Sequence, residues 1–281
     1  MNINHFGTLY VVATPIGNLQ DMSPRAITTL KSVDCIAAED TRHSASLLQH
    51  FMINTPTIAL HEHNERERAA NLLERLTHGE SIALISDAGT PLINDPGYFL
   101  VREAREAGIQ VVAIPGPSAV IAALSVCGLP TDKFCYEGFL PAKSRSRLQQ
   151  LTLLKHETRT LVFYEAPHRV LESLQDMLEI FGPEREAVIA RELTKIYETV
   201  YSAPIEALVE WVKHDANQQR GEIVLIVKGA DAVSTDADAL SVDAVLLPLL
   251  ADLPLKQAVE LTAKITGKRK NEIYQRALEM K

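Results

Sequence analysis

Three short turns, each directly after an apolar run of strand character, constrain this chain more than any other feature. Ala13-Thr14-Pro15-Ile16-Gly17-Asn18 follows the run at 9–12, Ser86-Asp87-Ala88-Gly89-Thr90-Pro91 follows 82–85, and Pro115-Gly116-Pro117-Ser118-Ala119 follows 111–114. In an open α/β sheet, ligands bind in the crevice beyond the carboxyl ends of the strands. Singly, each turn would be an ordinary strand-to-helix connection. Together they predict one shared pocket.

The pattern between the turns alternates strand and helix. Strands are expected at 9–13, 33–38, 57–61, 81–85 and 110–114. Ser23-Pro24 reads as an N-cap followed by proline at the first helical position. Ala69, Leu72, Leu73 and Leu76 recur at helical spacing, and Gly108 ends a helix over 97–107. Such alternation predicts a parallel sheet covered on both faces. After an apolar helix at 119–126 the pattern changes. Strands are expected at 134–139, 160–165, 187–192, 199–202 and 222–227, with helices at 145–155, 169–181 and 205–214. The gap after 192 is too short for a helix, so an antiparallel pair is expected there. The fold class is therefore α/β, as two α/β domains at 1–117 and 118–229, the second with a mixed sheet. Residues 230–241 are small, acidic and aperiodic, as in a linker. A helical tail at 242–281 follows, with helices at 242–250, 255–265 and 271–280, Asn271 as the last N-cap, and a helix-turn-helix pattern.

Composition narrows the class. The 281 residues are 46% hydrophobic and 23% charged, which suits a globular protein. Cys35, Cys127 and Cys135 show neither paired nor metal-binding spacing, so reduced thiols and no metal are expected. No apolar run approaches the ~20 residues that span a bilayer, and no leader is visible; a cytoplasmic protein away from membranes is expected. Charge is uneven within the net −8: residues 255–281 hold seven Lys/Arg against three Asp/Glu, whereas 229–254 hold five Asp and no cation. A basic tail, with Lys264, Lys268, Arg269, Lys270 and Arg276, suits an anionic macromolecule. It equally suits a solvated helix face or a packing and dimerisation role.

Six motifs stand in order: Ala-Thr-Pro-Ile-Gly-Asn-Leu (13–19), Ala-Glu-Asp-Thr-Arg (38–42), Ser-Asp-Ala-Gly-Thr-Pro (86–91), Ile-Pro-Gly-Pro-Ser-Ala (114–119), Tyr-Glu-Ala-Pro-His-Arg (164–169) and Gly-Glu-Ile-Val-Leu (221–225). Through them the whole chain resembles the small-subunit ribosomal RNA methyltransferase I branch of the tetrapyrrole methylase superfamily. The resemblance implies a tetrapyrrole-methylase-like fold with its cofactor cleft between two α/β domains, S-adenosylmethionine as cofactor, a cytidine ribose 2′-hydroxyl of small-subunit (16S) ribosomal RNA as acceptor, and a homodimer. The first and second turns lack the Gly-x-Gly-Pro-Gly and Ser-Gly-Asp-Pro patterns of the wider superfamily, which disfavours a tetrapyrrole substrate.

For the cofactor, the resemblance points to Pro15, Asp87, Gly89, Thr90, Ser118, Ala119 and Gly221. Asp87 suits hydrogen bonds or a neighbouring cation, Gly89 permits close backbone approach, and Ser118 with Ala119 opens a helix whose amides can hold a carboxylate. Asp87 and Ser118 are alternatively plain caps. Glu39, Asp40, Glu165 and His168 are the candidates for taking the hydroxyl proton, if a base is used. Arg42, Lys143, Arg145, Arg147, Arg169 and Arg191 are the candidates for RNA phosphates. A methyltransferase acting on a small tetrapyrrole-like precursor, and a non-catalytic ribosome-binding module, are the competing functions.

Overall fold

The computed structural model describes residues 6–231 and 242–280. In the first half, β1 (Thr8–Val12), β2 (Cys35–Ala38), β3 (Thr57–Ala59), β4 (Ile82–Ile85) and β5 (Gln110–Ile114) form a sheet in the order β3-β2-β4-β1-β5. Every pairing in it is parallel, as the alternating pattern predicts. All residues of β2 and β4 are buried, which is why these strands read as unbroken apolar runs rather than alternating ones. One face packs Leu9, Leu72, Leu84 and Leu100; the other packs Val12, Leu30, Ile36 and Ile85. Ser23 Oγ accepts from the Ala26 amide at 3.1 Å, capping the helix Pro24–Ser32. The order has one functional consequence. β4, β1 and β5 are adjacent and run the same way, so the three turns that leave them lie side by side.

The second sheet contains β6 (Phe134–Phe139), β7 (Thr160–Glu165), β8 (Glu186–Arg191), β9 (Thr199–Pro204) and β10 (Ile223–Val227), ordered β6-β7-β10-β8-β9. β6 and β7 are parallel, and the other pairs, β8–β9 included, are antiparallel. The helix Ala119–Val126 joins the halves. It packs Val120, Ala123 and Leu124 against Val162, Val188, Val224 and Ile226, and Ile16 of the first turn enters the same cluster. Both sheets belong to one compact unit ending at Gly229.

Residues from Ala230 form a second unit; the expected linker lies, beyond Asp231, outside the described residues. The helices Val242–Asp252, Leu255–Thr266 and Lys270–Glu279 bury Leu246, Ala258, Val259, Ile273 and Ala277 among themselves. Gly267 closes the middle helix in the left-handed conformation, φ 68°. The expected Asn271 cap is corrected. The chain re-enters helix at Lys270, three residues after Gly267, with Arg269 as the N-cap and Asn271 inside the first turn.

Candidate functional site

The three turns are tied to one another by their own polar groups. Thr14 and Gly89 exchange backbone hydrogen bonds of 2.8 and 3.0 Å, and Thr90 Oγ1 donates to the Pro117 carbonyl at 2.9 Å. Gly89 lies at φ 81°, where a side chain would strain the backbone. Across from the turns stand the carboxyl end of β7, the end of β8 and the start of β10. Together they enclose a cleft of about 470 Å³.

Carboxylates face an apolar wall in this cleft. Glu39, Asp87 and Asp95 line it together with Ile16, Ala119, Leu193 and Val224. Asp87 N donates to Glu39 Oε2 at 3.3 Å, and Asp40 N donates to Asp87 Oδ1 at 3.1 Å. Desolvation raises the Glu39 carboxyl above its ordinary value; the Asp87 amide opposes this, and Asp95 and Asp87 add repulsion. Asp95 is raised chiefly by desolvation as well, with the Ser86 hydroxyl opposing. Partly dried carboxylates in a concave wall favour a cation. Ser118 Oγ makes no capping bond to the helix Ala119–Val126, so it leaves the helix's first amides to other acceptors. Leu92 and Asn94, between Asp87 and Gly97, hold left-handed backbone at φ 72° and 68°. Such conformations persist where the surroundings impose them, and Tyr136 Oη donates to Asn94 Oδ1 at 2.6 Å.

Of the residues expected from the sequence, Glu39, Asp87, Gly89, Thr90, Ser118, Ala119, Glu165 and Gly221 line this cleft. Others are corrected. Pro15 is buried and does not line the cleft, whereas its neighbour Ile16 does. Asp40 caps the helix Thr41–His50 and pairs with Arg42 at 2.9 Å, which holds its carboxyl down at about 2. His168 points to solvent from the turn Pro167–Arg169, outside the lining. Glu165 lines the cleft but is already engaged by three donors, accepting from Ala166 N, Ser173 Oγ and Arg169. Arg147 is buried, with Nε 2.6 Å from Asp176 Oδ2 and Nη1 directed to the Pro141 and Ala142 carbonyls. Arg191 is buried on Gln218, Tyr197 and Thr199. Neither guanidinium is free for a phosphate. Lys143, Arg145 and Arg42 are exposed, while Arg169 is committed to Glu165. The sequence reading missed Asp95 and Asn94, although Asn94-Asp95-Pro96-Gly97 carries a dense turn signal. It also passed over Phe139 and Leu193, which carry none, and Glu222, which stands inside the motif at 221–225.

Residues 8–209 match the family model for Tetrapyrrole (Corrin/Porphyrin) Methylases, and residues 236–281 match the RsmI C-terminal HTH domain. The chain is 58% identical over 277 residues to ribosomal RNA small subunit methyltransferase I of Pseudomonas aeruginosa, spanning 97% of each chain. The chain belongs to that branch of the tetrapyrrole methylases. A second member, from Escherichia coli O157:H7, is 56% identical over 98% of this chain and 96% of its own. Among solved structures, the methyltransferase CobJ superposes with a TM-score of 0.59 at 18% identity, over 81% of this chain and 97% of that one. Uroporphyrin-III C-methyltransferase from Thermus thermophilus, complexed with S-adenyl homocysteine, gives 0.54 at 17%, over 79% and 97%. At these identities the likeness to CobJ and the Thermus enzyme is one of fold. Among the described residues no group of three or more His, Cys, Asp or Glu could hold a metal, and no helix is long and apolar enough to cross a membrane.

Proposed function

We propose that this protein transfers a methyl group from S-adenosylmethionine to the 2′-hydroxyl of a cytidine ribose in small-subunit ribosomal RNA. One observation carries the reading: 58% identity to a ribosomal RNA small subunit methyltransferase I over 97% of each chain, in a chain whose cleft sets carboxylates against an apolar wall and a helix N-terminus. The donor set fits the cofactor. Apolar Ile16, Leu193 and Val224 suit an adenine face, Glu39, Asp87 and Asp95 suit an ammonium and a sulfonium, and the amides at Ser118 and Ala119 suit a carboxylate. When bound, S-adenosylmethionine supplies an electrophilic methyl group on a leaving group that needs no protonation. The protein's task is then alignment and removal of one proton as the O–C bond forms and the C–S bond breaks. Glu39 is our candidate for that proton, being desolvated, facing the cleft and less committed than Glu165. Of the candidate cations, Lys143 and Arg145 are exposed and left for the RNA backbone, while Arg42 is exposed but already paired with Asp40. A cytoplasmic homodimer completes the proposal.

The test is incubation with labelled S-adenosylmethionine and small ribosomal subunits, followed by ribose-methylation mapping. Label on one cytidine 2′-oxygen is expected. Label on a base, or only on a tetrapyrrole precursor, overturns the reading.

A further inference from the structure

The segment between β8 and β9 holds a fixed shape while exposing apolar side chains. Glu192 and Thr194 take left-handed backbone at φ 51° and 68°, a cost that persists only where the surroundings over-determine it. Here they do. Glu198 accepts from Thr194 N at 2.6 Å, and Lys195 Nζ bridges Glu192 at 2.8 Å and Glu222 at 3.1 Å. The Lys195 stem lies across Gly17 of the first turn, where a Cβ would stand 2.5 Å from Lys195 Cγ. Beneath, the buried Arg191 donates to the Tyr197 carbonyl, the Thr199 hydroxyl and Gln218 Oε1. It thereby ties the segment to the turn Ala216–Gln219.

Out of this frame stand Ile196 and Tyr197, 95% and 72% exposed. The segment borders the cleft directly, because Leu193 lines it and Glu192 packs under Gly221, which also lines it. Arg220, one residue before Gly221, is exposed and has no ion pair among the described residues. A rigid apolar tip beside a free cation matches a nucleotide, with its π face and its phosphate.

We infer that Ile196 and Tyr197 form a platform on which an unpaired base of the RNA substrate stacks at the mouth of the cleft, with Arg220 on an adjacent phosphate. The inference rests on the RNA-methyltransferase reading above. Sequence-specific RNA recognition targets single-stranded loops and bulges, whose unstacked bases are held on aromatic faces, and the mouth of the cofactor cleft is where such a nucleotide would present its ribose. The rival occupant is a second copy of this chain, since β9 is a sheet edge with Val200 and Tyr201 part-exposed.

Tyr197→Ala tests this without threatening the fold, because Arg191 holds Tyr197 through its backbone carbonyl. The measurements are steady-state methylation of small subunits lacking this methyl group, quenching of 2-aminopurine in a single-stranded RNA oligonucleotide, the salt dependence of that binding, S-adenosylmethionine affinity, and sedimenting mass. Tyr197→Ala should raise KM for subunits about 10-fold and abolish quenching, with S-adenosylmethionine affinity and mass unchanged. Tyr197→Phe should restore both. Arg220→Gln should flatten the log–log salt dependence of oligonucleotide binding by about 0.7. An unchanged KM, or quenching that survives Tyr197→Ala, overturns the platform. So does a fall in mass with RNA affinity per protomer intact, which would assign the tip to self-association. Tyr197-dependent quenching by a wild-type protein that methylates no subunit leaves the platform standing and removes the reading it rests on.

Discussion

Asp87 and Glu39 show how one pair of side chains sets both the charge and the shape of the cleft. Asp87 accepts from the Asp40 amide, and its own amide donates to Glu39. Asp87→Ala should weaken S-adenosylmethionine binding by ~1–3 kcal/mol, the range for removing a charge-assisted hydrogen bond. Calorimetric titration reads this directly, and unchanged affinity in a folded variant would remove Asp87 from the site. Glu39 makes a prediction of opposite sign for stability. Its carboxyl is raised in the folded state, so folding favours the protonated form. The associated stability is present below the ordinary value of 4.5 and lost as pH rises through the raised one. Glu39→Gln should therefore raise Tm at neutral pH, with the gap closing on acidification, while lowering kcat and removing the acid limb of the rate profile. A lower Tm at neutral pH would contradict the desolvation argument. A retained acid limb would take the proton-acceptor role from Glu39.

At the scale of elements, the stretch from Pro141 to Arg147 divides two uses of arginine that sequence pattern cannot tell apart. Lys143, Arg145 and Arg147 look alike along the chain, yet the first turn of the helix Ser144–Leu154 turns Arg147 inward onto Asp176. Removing one partner of a buried pair strands the other, at a cost of about 3–5 kcal/mol. Arg147→Ala should accordingly lower the denaturation midpoint strongly and leave the salt slope of RNA binding alone. The double change Lys143→Gln with Arg145→Gln should do the reverse at unchanged Tm, flattening that slope by about 0.7–0.9 for each phosphate no longer neutralised. Chemical denaturation and salt-dependent binding on the same variants separate the two. Arg191 repeats the lesson at the end of β8, where burial on Gln218, Tyr197 and Thr199 commits its guanidinium.

For the whole molecule, the tail is the open mechanical question. Lys264 and Lys270 pair with Glu260, and Arg276 pairs with Asp243 and Glu279. Of Lys264, Lys268, Arg269, Lys270 and Arg276, this leaves Lys268 and Arg269 without a carboxylate among the described residues. Truncation after residue 241 should leave cofactor affinity nearly intact and flatten the salt slope of RNA binding by about 1.4–1.8, the value for two neutralised phosphates. A dimerisation role predicts a change in sedimenting mass with the slope preserved, and a change in neither would sink both. The chain order of strands and helices, the parallel first sheet and the three-turn pocket were legible in the sequence, because burial on both faces imposes apolar runs and strand ends demand turn residues. Asp87, Gly89, Thr90, Ser118 and Ala119 were legible for the same reason: they sit in those turns. Which charged side chains face solvent was not. Arg147 and Arg191 turned inward because carboxylate and carbonyl partners from distant segments met them, and Asp95 reached the cleft through a strained loop. Local sequence sets what each segment can become; only the packing of one segment on another decides which polar groups are already spent and which remain for a ligand.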